Sequence, residues 1–450
     1  MKNRFNKIFS ILFAGLLLSS VYAGTAFAWS EHELILMPMY QSMTEVAKAK
    51  PVKAETLGSF LVSEGKGLEK ILKSDEEWNR INLKNYRPLP DALFFKASAD
   101  QKVAIKRFCD AVRISDRYYY ALYIRQMQGA PSTGAAIVKG SGLTYLKDLS
   151  DIDDKSYLRI LSGKTVSVMD VLGTASDEPD LGIDIGLFED NDTAQGKKLN
   201  FGKQPFGNPN LEYSSQAPFH MGFYNEASIV YALASFLKET YPEYRIHQFK
   251  VLSEYAFKTG HYYWGWRFMG WGIHYLSDLS MPYHSVVLPG VSTAKMLWIN
   301  TKAMAGKDQA KKDAVQLVSN RHGALEKYQK YALRAVYTKK DMGNILITTV
   351  KTTVQVPVYN DNVPRDNVSK MAAKHAKETD DALVECMPQK YVSDPKVEFN
   401  DLPGTDRILD TVTKAKGQQC IDKTNALLGE LFKPAGIYCR SYIEAILKGK

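Results

Sequence analysis

Between Tyr262 and His284 the chain reads YYWGWRFMGWGIHYLSDLSMPYH. Aromatic and aliphatic side chains recur around the whole of this run, so it predicts a helix buried on most sides. Yet it carries His274 and Asp278, which project from one face one turn apart. Pro282 cannot continue the helix, so His284 lies just past its end and is able to turn back toward that face. A carboxylate and an imidazole among Trp264, Trp266, Phe268, Met269, Trp271, Tyr275 and Leu276 are costly unless something compensates them. A metal ion does so. An isolated His-x3-acid pair is more often a surface ion pair. Here the pattern recurs: in NRHGALEKY, His322 and Glu326 are again four apart. Imidazole and carboxylate donors at helical spacing, without sulfur, form a ligand set suited to zinc.

Most of the remaining chain also reads as helical. Leu237 to Ser280 carries long one-sided apolar patterns with few breakers before Gly260. DAVQLVSNRHGALEKYQKYALRAVYT repeats the pattern, and so does RILDTVTKAKGQQCIDKTNALLGELF, which Pro434 is expected to stop. Thr- and Val-rich Asn344 to Asn360 is the exception, read as a strand pair or an extended edge. Gly129 to Gly142 and the acidic, Gly- and Pro-rich Asp177 to Asn210 read as loops, the second too long for a plain connector. There is no internal repeat or low-complexity tract.

The N-terminus has three parts: a basic start with Lys2, Arg4 and Lys7, an apolar stretch from Ile8 to Val21, and Ala26-Phe27-Ala28. That is the pattern of a cleaved signal over residues 1–28, giving a mature chain that begins at Trp29 and is secreted or periplasmic. No later stretch is apolar for long enough to span a bilayer. Mixed charge with 45% hydrophobic residues describes a globular chain. The formal charge of +9 suits an anionic partner, lipid surface or nucleic acid, without choosing between them. Of four cysteines, three fall near the C-terminus, and a Cys420–Cys439 staple is plausible; no CxxC pair offers a thiolate metal site. His261 reads as a residue packed among aromatics, and His247 and His375 as surface residues. The run HYYWGWRFMGW reads as core, with lipid contact as the alternative.

The segment HYLSDLSMPYH resembles the H-Y-x-x-D-x-x-x-P-x-H segment of the zinc-dependent phospholipases C. RHGALEKY is similar to the next ligand pair of that family, and APFHMGFY to the segment holding an earlier ligand histidine. Those enzymes share an all-helical, three-zinc fold with the S1/P1 nucleases, and their mature chains begin with tryptophan. The resemblance implies an all-α, multi-helix bundle of the phospholipase C/P1 nuclease type. The catalytic domain would occupy residues 29–340, with an insertion within about 50–171, and a mostly helical extension would follow over 341–450.

Carried over by position, the resemblance implies three zinc ions. His220, His274, Asp278 and an upstream aspartate would hold the first. Asp180 is the choice for that aspartate, also as a catalytic residue, with Asp177 and Asp184 as neighbouring alternatives and Asp91 in RPLPDALFF as a more distant one. His284, His322 and Glu326 would hold the second. Trp29, through its free amine and carbonyl, would hold the third with Asp278 and His32, the only histidine near Trp29 in sequence.

The activity so implied is hydrolysis of phosphatidylcholine or a related phospholipid to diacylglycerol and a phosphorylated head group, by a hydroxide held on zinc. Two features favour this branch: the last ligand pair closes with Glu326, and WSEHE places Glu31 beside Trp29, where a glutamate would contact the head group. A phospholipid or membrane surface is then the partner, and no stable protein partner is implied. The alternatives are a secreted nuclease acting on single-stranded nucleic acid, and a zinc-stabilised binding protein without catalysis.

Overall fold

The computed structural model describes residues 29–130, 136–351 and 356–449. The expected signal, residues 1–28, lies outside them. The described chain is mostly helical. No helix among the described residues is long and apolar enough to cross a membrane.

The first helix, α1 (His32–Ser42), starts three residues after Trp29 and is buried over most of its length. A long excursion follows. It leaves through β1 (Val52–Lys53), passes through α2 (Gly65–Asn82) and a three-stranded antiparallel sheet of β2 (Tyr123–Arg125), β3 (Ile137–Val138) and β4 (Tyr157–Arg159), and returns through β5 (Thr165–Val166). Strand order is β2-β4-β3, and β5 pairs with β1, Val52 opposite Val166, so the two ends of the excursion are tied together. Strand structure was expected elsewhere, as a strand pair or an extended edge between Asn344 and Asn360. There the chain forms a helical turn at Ile345–Thr348, and no described residue of the segment is in a strand. Leu346, Ile347 and Val350 are buried instead, with the backbone of Val350 pressed so close to Gly436 that a Cβ there would lie 2.6 Å from its carbonyl oxygen. Close packing has overridden β propensity.

The centre of the molecule is built from α3 (Val168–Asp177), the short α4 (Ala217–His220), α5 (Pro242–Lys258) and α6 (Tyr262–Asp278). Gly260, at φ 85°, separates α5 from α6. Every residue of α6 from Tyr263 on is buried, so the aromatic run from there is core, while Tyr262 before it is exposed. The glycines of α6 mark where its neighbours touch. A Cβ at Gly270 would lie 2.5 Å from the Ala175 Cβ on α3, and one at Gly272 would lie 2.0 Å from the Tyr442 hydroxyl. Pro282 opens a separate short helix, α7 (Pro282–Ser285), followed by α8 (Thr293–Met304) and the 31-residue α9 (Gln309–Lys339).

The C-terminal part adds α10 (Lys370–Cys386), α11 (Ile408–Lys416) and α12 (Gln418–Lys448). One hydrophobic core runs from Trp29 to Ile446, so these helices pack onto the central bundle. Gly417, at φ 82°, breaks the pattern where Pro434 was expected to. Pro434 lies inside α12, where burial of Leu431, Phe432, Ala435 and Cys439 around it offsets the roughly 3 kcal/mol cost of an interior proline. The disulfide joins Cys386 to Cys420, with Cα atoms 5.0 Å apart, and Cys439 is free. Cys420 and Cys439 share the continuous α12; at about 1.5 Å rise per residue they are far too distant to pair.

Candidate metal centre

The site forms where α6 ends. Asp278, its last residue, is fully buried, and four imidazoles surround its carboxylate. Oδ1 lies 3.2 Å from His32 Nε2 and 4.0 Å from His284 Nδ1. Oδ2 lies 2.9 Å from His220 Nδ1 and 3.4 Å from His274 Nε2. Asp180, on the irregular turn after α3, brings Oδ1 to 3.6 Å from His274 Nε2 and 3.9 Å from His220 Nδ1. One turn apart near the middle of α9, His322 and Glu326 meet at 2.7 Å, and His284 Nε2 is 4.0 Å from Glu326 Oε1.

Three groups of donor atoms result, each compact enough for one ion: His32, His274 and Asp278; Asp180, His220 and His274; and His284, His322 and Glu326. Of the alternatives for the upstream aspartate, Asp180 is the one in these groups. Asp91 is exposed, with Arg80 3.9 Å from its carboxylate. Asp177 is engaged by Arg125 at 2.5 Å. Asp184 stands behind the site: Arg245 binds its Oδ1 at 2.6 and 2.9 Å, the Tyr275 hydroxyl donates to Oδ2, and Oδ2 is 3.5 Å from His220 Nε2. Trp29 is fully buried beside the site, its indole NH donating to Ser280 Oγ at 3.0 Å and its ring edge-on to Phe432. Glu31 is equally buried and is turned away from solvent toward Arg125 and Arg334.

The hydrogen bonds fix which imidazole atoms face inward. Ser176 O can only accept, so His274 Nδ1 donates to it at 2.8 Å and Nε2 presents its lone pair to the cluster. Ser277 spends its hydroxyl proton on His274 O, so His32 Nδ1 donates to Ser277 Oγ at 2.8 Å and Nε2 faces Asp278. Sequence reasoning missed these orienting groups. Ser277 sits between two predicted ligands and was readable as a neighbour, whereas nothing in the sequence marks Arg125 or Arg245.

Burial and neighbouring charge set the ionisation of these groups. Burial pushes His274 well below its usual range, helped by charge on His32 and His220. Burial also lowers His322 well below, and His284 to about 4. These three imidazoles are neutral near pH 7, as ligands must be. Burial would lower His220 too, but the neighbouring carboxylates of Asp184 and Asp278 outweigh it and hold it up at about 10. Burial pushes Asp180 up to about 7 against the pull of His220 and His32. Burial works against the Asp278 charge, yet His274 and His32 keep its carboxyl well below the usual range.

The donor set fits a cation. His32 Nε2, Asp180 Oδ1, His220 Nε2, Asp278 Oδ1, His322 Nε2 and both ring nitrogens of His284 are buried and make no hydrogen bond. Each buried, unmade hydrogen bond costs about 1–3 kcal/mol. A group of them converging on shared points is not tolerable without a compensating charge, and almost all are the atoms that would bind one.

Of the other histidines, His261 does pack edge-on against Phe60, and it also pairs with Glu55 and Glu64 at 2.8 and 3.2 Å. His375 pairs with Glu378 near the surface. His247 is not a surface residue as expected. It is buried between Asp75 and Asp361 and stacked on Trp78 at 3.4 Å, because α2 covers the face of α5 that carries it.

Comparison of the chain with protein-family models, with curated proteins and with solved structures gave no match.

Proposed function

We propose that the protein is an exported, zinc-dependent phosphodiester hydrolase of the phospholipase C/P1 nuclease type, acting as a phospholipase C. The observation that carries this reading is the convergence of His32, Asp180, His220, His274, Asp278, His284, His322 and Glu326, drawn from separate stretches of the chain, on three compact donor groups. That is the ligand set the sequence resemblance assigns, without any sulfur donor.

In this reading His220, His274, Asp180 and Asp278 hold one ion, His284, His322 and Glu326 a second, and His32, Asp278 and the main chain of Trp29 a third. Bound zinc supplies water activation near neutral pH and neutralises charge on a phosphate. The chain's own groups do the rest. Asp278 lies between the histidines of different groups and keeps them in one array. Ser176 O and Ser277 Oγ hold the rings of His274 and His32 in the orientation that aims Nε2 inward. Asp180 is the catalytic carboxylate: its side chain is 15% exposed, against 0% for Asp278, so it reaches both the cluster and the outside. With Oδ1 turned to the histidines, its other oxygen would be left to accept a proton from the attacking water. Glu326 as the closing acid of the last ligand pair favours the phospholipid branch over the nuclease.

The test is metal analysis of the exported protein combined with hydrolysis of dispersed phosphatidylcholine. About three zinc per chain and lipid turnover abolished by EDTA are the expected result. Digestion of single-stranded DNA without lipid turnover would move the assignment to the nuclease branch. Bound zinc without hydrolysis of either substrate would leave a zinc-stabilised binding protein.

A further inference from the structure

After His284 the chain enters a segment, Val286 to Lys307, that contains no aspartate or glutamate. At its centre is α8. Met296, Ile299 and Ala303 form the buried side of this helix, and Met296 joins a small second core with Phe223, Val230 and Leu237. The opposite side is unusual for a water-facing surface. Trp298 is 51% exposed and Met304 45% exposed, and the short helix packed against α8 adds Ile229 at 45%. Trp29, Trp264, Trp266 and Trp271 are all buried, so Trp298 stands apart from them. The Lys302 ammonium lies 3.8 Å above the Trp298 ring; Lys295, one turn before Trp298, and Lys307, just past the helix end, are exposed.

Single exposed apolar residues need no explanation. An aromatic ring and a methionine on the outer face of one helix, fringed by lysines over a stretch without acids, fit the boundary of an anionic lipid surface. The ring would lie at the acyl boundary, while lysine stems extend along it and place their ammonium groups among phosphates. The position suits this use. His284 precedes α8 and His322 follows it on α9, and the Gly222 amide donates to His284 O at 2.8 Å, tying the neighbouring arm to the same ligand.

We propose that the outer face of α8 is a docking surface for an anionic phospholipid bilayer, with Trp298 and Met304 entering the interface and Lys295, Lys302 and Lys307 meeting lipid phosphates. As a device for presenting bilayer substrate to the metal centre, it rests on the phospholipase reading above.

The experiment is co-sedimentation of the full mature chain with vesicles of phosphatidylcholine mixed with phosphatidylglycerol, beside vesicles of phosphatidylcholine alone. Mixed vesicles bind more tightly, and added salt weakens that binding. Trp298→Ala and the Lys295→Glu/Lys302→Glu variant each lose about tenfold or more in vesicle affinity. Both keep wild-type hydrolysis of a short-chain phosphatidylcholine dissolved as monomers. Vesicles also shift the tryptophan fluorescence of the parent to shorter wavelength, and the shift disappears in Trp298→Phe. Vesicle binding by the variants equal to the parent, indifference to phosphatidylglycerol, or preferential capture of single-stranded DNA by this face would overturn the proposal. Failure of the parent to hydrolyse the monomeric lipid would instead refute the phospholipase reading, and the vesicle comparison would still decide the docking surface.

Discussion

Glu31 accepts a hydrogen bond from the guanidinium of Arg125, a residue 94 positions further along the chain on β2. The same guanidinium reaches Asp177 at 2.5 Å and Glu33 at 3.3 Å, and Arg334 on α9 takes the other oxygen of Glu31 at 2.5 and 2.8 Å. Glu31 itself sits at φ 69°, a left-handed conformation that a non-glycine residue adopts at a cost. The arginines therefore hold the tight turn that lets Trp29 and His32 fold back against the end of α6.

Replacing Arg125 tests that clamp. Arg125→Met leaves Glu31, Glu33 and Asp177 buried without their shared cation. Removing one partner of a buried ion pair costs about 3–5 kcal/mol. The variant is expected to unfold at correspondingly lower denaturant and to bind less metal at the His32 group, read by equilibrium unfolding and metal analysis. Unchanged values in both would show that the turn holds without β2.

Asp278 and Glu326 make a second contrast. The oxygens of Asp278 face histidines of all three donor groups, whereas Glu326 faces His284 and His322 of its own group. Asp278→Asn is expected to lower bound metal by more than one equivalent per chain and Glu326→Gln by about one. Metal analysis after dialysis distinguishes them; equal losses would contradict the bridging position of Asp278.

Removing metal is expected to destabilise the fold, because His32 Nε2, His220 Nε2, Asp278 Oδ1 and both ring nitrogens of His284 are buried without hydrogen bonds. A ligand present at about a hundredfold over its dissociation constant contributes about 2.7 kcal/mol, so chelation lowers the melting temperature by several degrees. Zinc restores it and magnesium does not, since magnesium prefers oxygen donors. A melting temperature indifferent to EDTA would mean that these atoms are satisfied in some other way.

The ligands were legible because helical geometry forces residues four apart onto one face: His274 with Asp278, and His322 with Glu326. An apolar run around charged residues was legible as burial for the same local reason. The groups that hold the ligands were not. Arg125 and Arg245 reach the site from elements distant in sequence, and only the pairing of β1 with β5 and the packing of α5 on α6 bring them there. The disulfide partner of Cys420 was unreadable because it depends on how α10 lies against α12. His247 looked like a surface residue because its sequence neighbours are polar; its burial comes from α2, far away along the chain.

That buried histidine also gives a pH prediction. Asp75 Oδ1 lies 3.5 Å from His247 Nε2, and Asn79 donates to Asp75 Oδ2 at 3.1 Å. Burial pushes Asp75 up to about 6, against the pull of His247 and Asn79. An acid whose folded value is raised binds its proton more tightly when folded. Its contribution to stability is therefore full below the unfolded value near 3.8 and is lost as pH rises through about 6. The loss is on the order of 3 kcal/mol for a shift of this size. Asp75→Asn cannot ionise and lacks this slope. Relative to the parent, the variant should gain stability as pH rises from about 4 to about 7, with little further change above that. Urea unfolding of both proteins across that range reads the difference directly. A parallel pH dependence in the two would mean that Asp75 is ionised in the folded protein throughout.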